Sequence, residues 1–209
     1  MKQWIFFDLG STLIDERETY KLFQERCVRE LHAAGCCVTA EAFEEQMLRF
    51  AKENKDPVND TWAYFAKSGI ARPKWDHSTD VLFPDVPAVL GKLAQLYHLG
   101  IIANQGKYLE ERLENFGVLP YFEVVVGSAD VGLSKPDVAI FDYALTQAGV
   151  LPEEAIYVGD RMDNDMVPAK KLGMATIWMQ QGLGKYNQEN LDFPCDDRIK
   201  KVSDLLKIL

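Results

Sequence analysis

Asp8, Asp160, Asp163, Asp165 and Lys135 are the residues of this chain whose types and placement could do chemistry. Asp8 closes the apolar run WIFFD, and Asp160 closes AIYVGD with Asp163 and Asp165 just behind it. Asn104 and Gln105 close a third run, GIIANQ. Carboxylates gathered at one place repel each other unless a cation or protonation removes charge, and a hard divalent ion such as Mg²⁺ is the natural partner for oxygen ligands. Lys135, in LSKPD, would add a positive charge there. A lysine and a metal ion together would neutralise a bound phosphate or other anion beside a carboxylate able to attack it. Singly, each acid also reads as a helix cap or turn residue, Asp163 most of all, and Lys135 as a surface lysine. The cluster is what argues for a site.

That argument requires elements that bring the residues together. Short apolar runs occur at residues 4–9, 100–105, 123–128, 155–160 and 175–180. Their hydrophobicity is continuous rather than alternating, which predicts strands buried on both faces, as in a parallel sheet. From the second run onward they are separated by segments with apolar residues at three- and four-residue steps. Several of these end near a glycine suited to a helix C-cap, namely Gly117, Gly149 and Gly173. The pattern predicts an α/β fold with an open, Rossmann-like parallel sheet. In such sheets ligands bind beyond the carboxyl ends of the strands, where Asp8, Asn104 and Asp160 fall.

Residues 16–79 break the rhythm. They contain helical patterns around YKLFQERCVREL, after Thr39 with Phe43, Met47 and Phe50, and around DTWAYFAKSGI, but no strand-like run. An insertion of roughly 60 residues is too long for an ordinary connection, so the expected organisation is a core of residues 1–15 and 80–209 with a small helical cap at 16–79.

The 209 residues are 47% hydrophobic and carry a net charge of −9. That charge argues against a non-specific grip on nucleic acid or anionic membrane, and it leaves a small molecule as the expected partner. Cys27, Cys36, Cys37 and Cys195 have no C-x-x-C spacing, the N-terminus lacks a signal-peptide pattern, and no apolar segment approaches bilayer length. The expectation is a soluble, cytoplasmic protein.

FFDLGSTLID, GIIANQG, VGLSKPD and YVGDRMDND occur in the order and spacing of the four motifs of the haloacid dehalogenase-like (HAD) hydrolases, which the chain resembles over essentially its whole length. The insertion lies where that family places a cap. The resemblance implies a phosphatase in which Asp8 takes up a phosphoryl group and Lys135 stabilises both. Asp8, the backbone carbonyl of Gly10, Asp160 and Asp165 would hold Mg²⁺, and Thr12 and Asn104 would contact the substrate.

Two positions depart from the family pattern. Gly10 stands where its phosphatases usually carry a second aspartate that protonates the leaving oxygen and then activates water, and Ala103 stands where a Ser or Thr hydroxyl is usual. General acid–base help is typically worth 10²- to 10⁴-fold, so weakened turnover is expected, and a carboxylate restored at position 10 is expected to raise it. The two departures also support an alternative reading, a regulatory protein that keeps the metal and anion site without turnover. Dehalogenases lack the second aspartate too, but generally dispense with Mg²⁺, which sits poorly with GDRMDND. Phosphonoacetaldehyde hydrolases also lack it and use a cap lysine; Lys52, Lys55, Lys67 and Lys74 are candidates, though each reads first as a solvated surface lysine. His32, His77 and His98 show no ligand spacing, and GLGK at 182–185 reads as a turn after the fifth strand.

Overall fold

A computed structural model describes residues 4–67 and 69–209; residues 1–3 of the expected core and residue 68 of the expected cap lie outside the described residues. The five apolar runs become strands β1 (Trp4–Phe7), β4 (His98–Ala103), β5 (Val124–Gly127), β6 (Ala155–Gly159) and β7 (Ala175–Met179). Two short segments, β2 (Ile14–Asp15) and β3 (Val81–Leu82), pair antiparallel in a separate ribbon, and β8 (Asp197–Ile199) adds a further edge strand. The main sheet has the order β5-β4-β1-β6-β7-β8, and its strands pair in parallel throughout. β1 is central.

Burial on both faces accounts for the unbroken hydrophobicity. Along β1, Ile5 and Phe7 enter one apolar cluster while Trp4 and Phe6 enter the other, on the opposite face. β6 repeats the division, with Ile156 and Val158 on one side and Ala155 and Tyr157 on the other. Alternating side chains thus all find a core.

The insertion folds into α1 (Arg17–Ala33), α2 (Ala40–Lys52) and α3 (Asn59–Phe65). Thr39 caps α2, its hydroxyl accepting from the Ala42 N–H at 3.1 Å. α3 stops at Phe65, short of the helical pattern read to Ile70, because Ala66 turns to extended backbone. These helices bury a cluster of their own: Phe23, Cys27 and Leu31 of α1, Phe43 and Met47 of α2, Trp62 of α3, and Val38. In the sheet domain the crossovers are α4 (Val86–Leu93), α5 (Leu109–Asn115), α6 (Ser128–Val131), α7 (Val138–Ala148) and α8 (Val167–Leu172), with α9 (Leu205–Ile208) closing the chain. As anticipated, α7 and α8 end at Gly149 and Gly173 in left-handed backbone. No helix among the described residues is long and apolar enough to cross a membrane.

The separate helical cluster has a measurable consequence. Phe23→Ala removes a fully buried ring and is expected to cost about 3–5 kcal/mol within the insertion. Hydrogen exchange should then accelerate in α1–α3 well before it does in β1, β4 and β6. A uniform acceleration would show that the helices and the sheet open as one unit.

Candidate active site

Asp8 follows β1 directly, and its N–H donates to the Val158 carbonyl of β6 at 2.8 Å, so its side chain leaves the sheet at the carboxyl edge of the central strand. Asp160 takes the equivalent place after β6. Asp165 returns to the same edge through a wide helical turn, Met162–Met166, in which the Met166 N–H reaches the Arg161 carbonyl at 3.1 Å. Gly159 makes that return possible: a Cβ there would lie 2.7 Å from both Cβ and Cγ of Asp165. Asp8, Asp160 and Asp165 can bring one carboxylate oxygen each within 4.8 Å of one another.

Lys135 holds the group together. Its Nζ lies 2.5 Å from Asp8 Oδ1, 2.6 Å from Asp165 Oδ1 and 2.9 Å from the Tyr157 hydroxyl, which itself donates to the Ile102 carbonyl at 2.8 Å. Burial pulls the ammonium pKa down, but the Asp165 and Asp8 carboxylates outweigh it and hold it above the ordinary lysine value. Burial pushes Asp8 up, Lys135 pulls it back and Asp165 adds to the rise, leaving it at about 6. Asp160 stands well above the usual carboxylate range, through burial and through the charges of Asp165 and Asp8.

The remaining expected residues divide. Asn104 lines the pocket, and its amide bonds the main chain of Lys135: Nδ2 donates to the Lys135 carbonyl and Oδ1 accepts from the Lys135 N–H, both at 2.8 Å. Its side chain thus clamps the lysine main chain, with a second amide N–H still free to donate. Thr12 is fully buried, its Oγ1 has no hydrogen-bond partner, and it is not among the residues lining the pocket. Asn104 thus stands in the pocket lining and Thr12 outside it, while Ser11, at φ 54°, lines the pocket where Thr12 does not. Asp163 is outside the cluster, paired with the Arg161 guanidinium at 3.1 and 2.5 Å. The GLGK loop packs Leu183 against the helical insertion and Gly184 against the Asp160 backbone, the close approach of a turn. Ala103 is buried at the end of β4 and offers no hydroxyl.

Glu16 and Tyr157 are the residues that sequence reasoning missed. Glu16 lines the pocket and is buried, and its Oε2 accepts from the Ser11 hydroxyl at 3.1 Å. Burial, with the charges of Asp80 and Asp8, pushes its carboxyl group up to about 8. It also fills the space beside Gly10, so a side chain added at position 10 would meet the Glu16 carboxyl group and displace it. Tyr157 read as strand core, and its hydroxyl within the otherwise apolar run AIYVG was the available signal.

The pocket holds about 380 Å³. The sheet edge forms its floor, and Arg72, Trp75 and His77 of the insertion line the other side. Arg161 spans the two, lying 3.8 Å from Asp56 of the insertion. Asn54 exchanges hydrogen bonds with the Gln188 main chain at 2.8 and 2.9 Å, and Asn187 donates to the Ala51 carbonyl at 2.6 Å. Such an arrangement presents an ionisable nucleophile and a fixed cation to a small anion in a semi-enclosed space.

The sequence profile of the haloacid dehalogenase-like hydrolases matches residues 5–179. A glyceraldehyde 3-phosphate phosphatase of Methanocaldococcus jannaschii is 30% identical over 227 residues, covering 100% of this chain and 97% of that protein. A phosphoserine phosphatase of Thermus thermophilus is 35% identical over 104 residues, 49% of this chain and 42% of that protein. Among solved structures, a HAD phosphatase from Thermococcus onnurineus aligns with a TM-score of 0.69 at 27% identity, covering 100% of this chain and 97% of that one.

The Lys135 contacts predict a stability effect. Lys135→Met leaves Asp8 and Asp165 facing each other without their cation, and breaking a buried pair in this way costs about 3–5 kcal/mol. Removing the cation lifts the folded-state pKa of Asp8 further above its unfolded value. The destabilisation relative to the natural protein should therefore grow as pH rises past the wild-type Asp8 value of about 6 and be complete only above the higher value in the variant. Urea titrations of chelator-treated protein across that range check it; a pH-independent loss would reject the charge argument.

Proposed function

Since the chain belongs to the haloacid dehalogenase-like hydrolases, we propose that it is a Mg²⁺-dependent phosphatase acting on a small phosphorylated metabolite through an aspartyl-phosphate at Asp8. One observation carries the proposal: the Asp8 carboxylate stands in the pocket at the end of the central strand with Lys135 Nζ 2.5 Å from its Oδ1. An Asp8 oxygen attacks phosphorus as the phosphorus–ester oxygen bond breaks and the alcohol departs with that electron pair and a proton, while Lys135 draws charge from the attacking carboxylate and the transferred group. Water then releases orthophosphate and restores Asp8. The named substrates of the two relatives are short-chain phosphate esters, and a pocket of about 380 Å³ suits that class.

The donor set fits the metal. Three buried carboxylates against one ammonium leave two negative charges uncompensated when all are ionised, and every donor is a hard oxygen. Asp8, Asp160 and the Gly10 carbonyl would hold Mg²⁺ directly. Asp165, whose oxygens already accept from Lys135 and the Arg161 N–H, would serve directly or through water. Bound there, Mg²⁺ supplies charge neutralisation for the phosphoryl oxygens. Residues 16–79 would act as the cap that selects substrate and gates the pocket, and the unpaired cysteines support a reducing, cytoplasmic setting.

Gly10 and Ala103 favour a second reading, a metabolite-binding regulatory protein, which tight binding without phosphate release across a panel of phosphorylated metabolites would establish. The phosphatase reading predicts release of orthophosphate with Mg²⁺ present, and a loss of at least about 10³-fold in Asp8→Asn, as when a covalent nucleophile is removed. Asp160→Asn, which keeps shape and removes charge, should weaken calorimetric Mg²⁺ affinity by at least about tenfold, or 1.4 kcal/mol. Unchanged affinity would reject Asp160 as a ligand.

A further inference from the structure

Gly10 has no side chain, yet the space a side chain would take is filled. A Cβ built on Gly10 would lie 2.7 Å from Glu16 Oε2 and 3.0 Å from both Cδ and Oε1 of Glu16. Local backbone geometry brings the two residues together. The N–H groups of Leu13 and Ile14 both donate to the Leu9 carbonyl, at 2.9 and 3.0 Å, and Ser11 takes left-handed backbone, so the chain turns back on itself directly after Gly10. The β2–β3 ribbon then fixes Ile14 and Asp15 and aims Glu16 at the pocket that Asp8 also lines.

The surroundings of Glu16 are those of a working group rather than an ion pair. Among the described residues it has no salt bridge, and the Ser11 hydroxyl is its sole side-chain hydrogen-bond partner. Arg112, the nearby cation, is committed to Asp80 and to Gln105 Oε1. A buried carboxyl group without its own cation is costly to keep for stability alone. Ser11 donates to one oxygen, and among the described residues no side chain hydrogen-bonds the other, on a residue that lines the pocket.

We infer that Glu16, on the phosphatase reading above, is the catalytic general acid and base of this site, supplying from the start of the cap the carboxyl group that Gly10 lacks. As the bond from Asp8 to phosphorus forms, the bond from phosphorus to the substrate oxygen breaks. That oxygen keeps the electron pair, takes the Glu16 proton and departs as an alcohol. The Glu16 carboxylate then takes a proton from water as the water oxygen bonds to phosphorus and the Asp8–phosphorus bond breaks. Orthophosphate leaves, with Asp8 again a carboxylate and Glu16 again protonated.

The test compares 4-nitrophenyl phosphate, whose leaving group departs with little help, with glycerol phosphate, whose alkoxide needs a proton. Glu16→Gln preserves shape and the Ser11 bond. It should lower glycerol phosphate hydrolysis by about 10²- to 10⁴-fold. With the aryl ester it should still give a stoichiometric burst of nitrophenolate, followed by slow turnover as the aspartyl-phosphate accumulates. Gly10→Asp alone crowds two carboxyl groups into one space and should lower turnover. Gly10→Asp combined with Glu16→Ala moves the acid to the other position and should recover alkyl turnover to within about tenfold of the natural protein, a gain of at least tenfold over Glu16→Gln. Unchanged alkyl turnover in Glu16→Gln overturns the inference and leaves the phosphatase reading standing. Loss of the aryl burst together with alkyl turnover, without recovery in the double variant, marks Glu16 as merely structural and also overturns it. A natural protein that hydrolyses neither ester, like its Asp8→Asn variant, fails the phosphatase reading itself and takes the role of Glu16 with it.

Discussion

Lys135 carries its ammonium group to a place where burial pulls its pKa down, and the oxygens of Asp8 and Asp165 at 2.5 and 2.6 Å hold it above the ordinary lysine value. The dependence is mutual. Adjacent parallel strands β1 and β6 end in acids at the same edge, and without a cation between them the repulsion would fall on the ends of the two central strands. Asn104 fixes the lysine main chain and Tyr157 fixes its nitrogen, so the charge is positioned from both ends of the side chain. The same contact opposes the rise that burial imposes on Asp8, whose pKa stands at about 6.

Sheet geometry converts that local charge balance into a site. Because β1 and β6 are buried on both faces, nothing polar is tolerated along their length except where it finds a partner, as the Tyr157 hydroxyl does. Charged groups therefore collect at the strand ends, where the chain leaves the sheet. The helical insertion covers the same edge, and Asp56 near Arg161 and the Asn54–Gln188 pair connect it to the loops there. A binding space forms between a rigid floor and a separately packed roof.

Strong apolar runs made the central strands legible, and the rule that ligands sit beyond parallel strands made Asp8, Asp160 and Asp165 legible with them. The edge strand Asp197–Ile199 was not legible, because Asp197 and Arg198 are exposed and break any apolar run. The Ile14–Asp15 and Val81–Leu82 ribbon is too short for a pattern and forms only when the ends of the insertion meet. Glu16 failed for a related reason. Its proximity to Gly10 depends on a backbone turn at Ser11 and on pairing with a segment far along the chain, neither of which leaves a periodicity to read. Thr12 and Asn104 show the converse: motif resemblance suggested substrate contacts and could not reveal that Thr12 is fully buried or that the Asn104 side chain clamps the Lys135 main chain.

The β2–β3 ribbon also bears on how such a protein can change. It joins the two ends of the insertion, so whatever lies between Asp15 and Val81 can be exchanged for another segment with little disturbance to the sheet, the loop being already closed at its base. Glu16 lies on the far side of that junction, with the exchangeable part. A lineage that swapped this module for another would change its substrate preference and surrender its proton carrier in one event, unless an acid returned at position 10. On the reading of residues 16–79 as a substrate-selecting cap, recognition and proton chemistry would be inherited as a single unit, whereas an aspartate within the first motif would let them evolve apart.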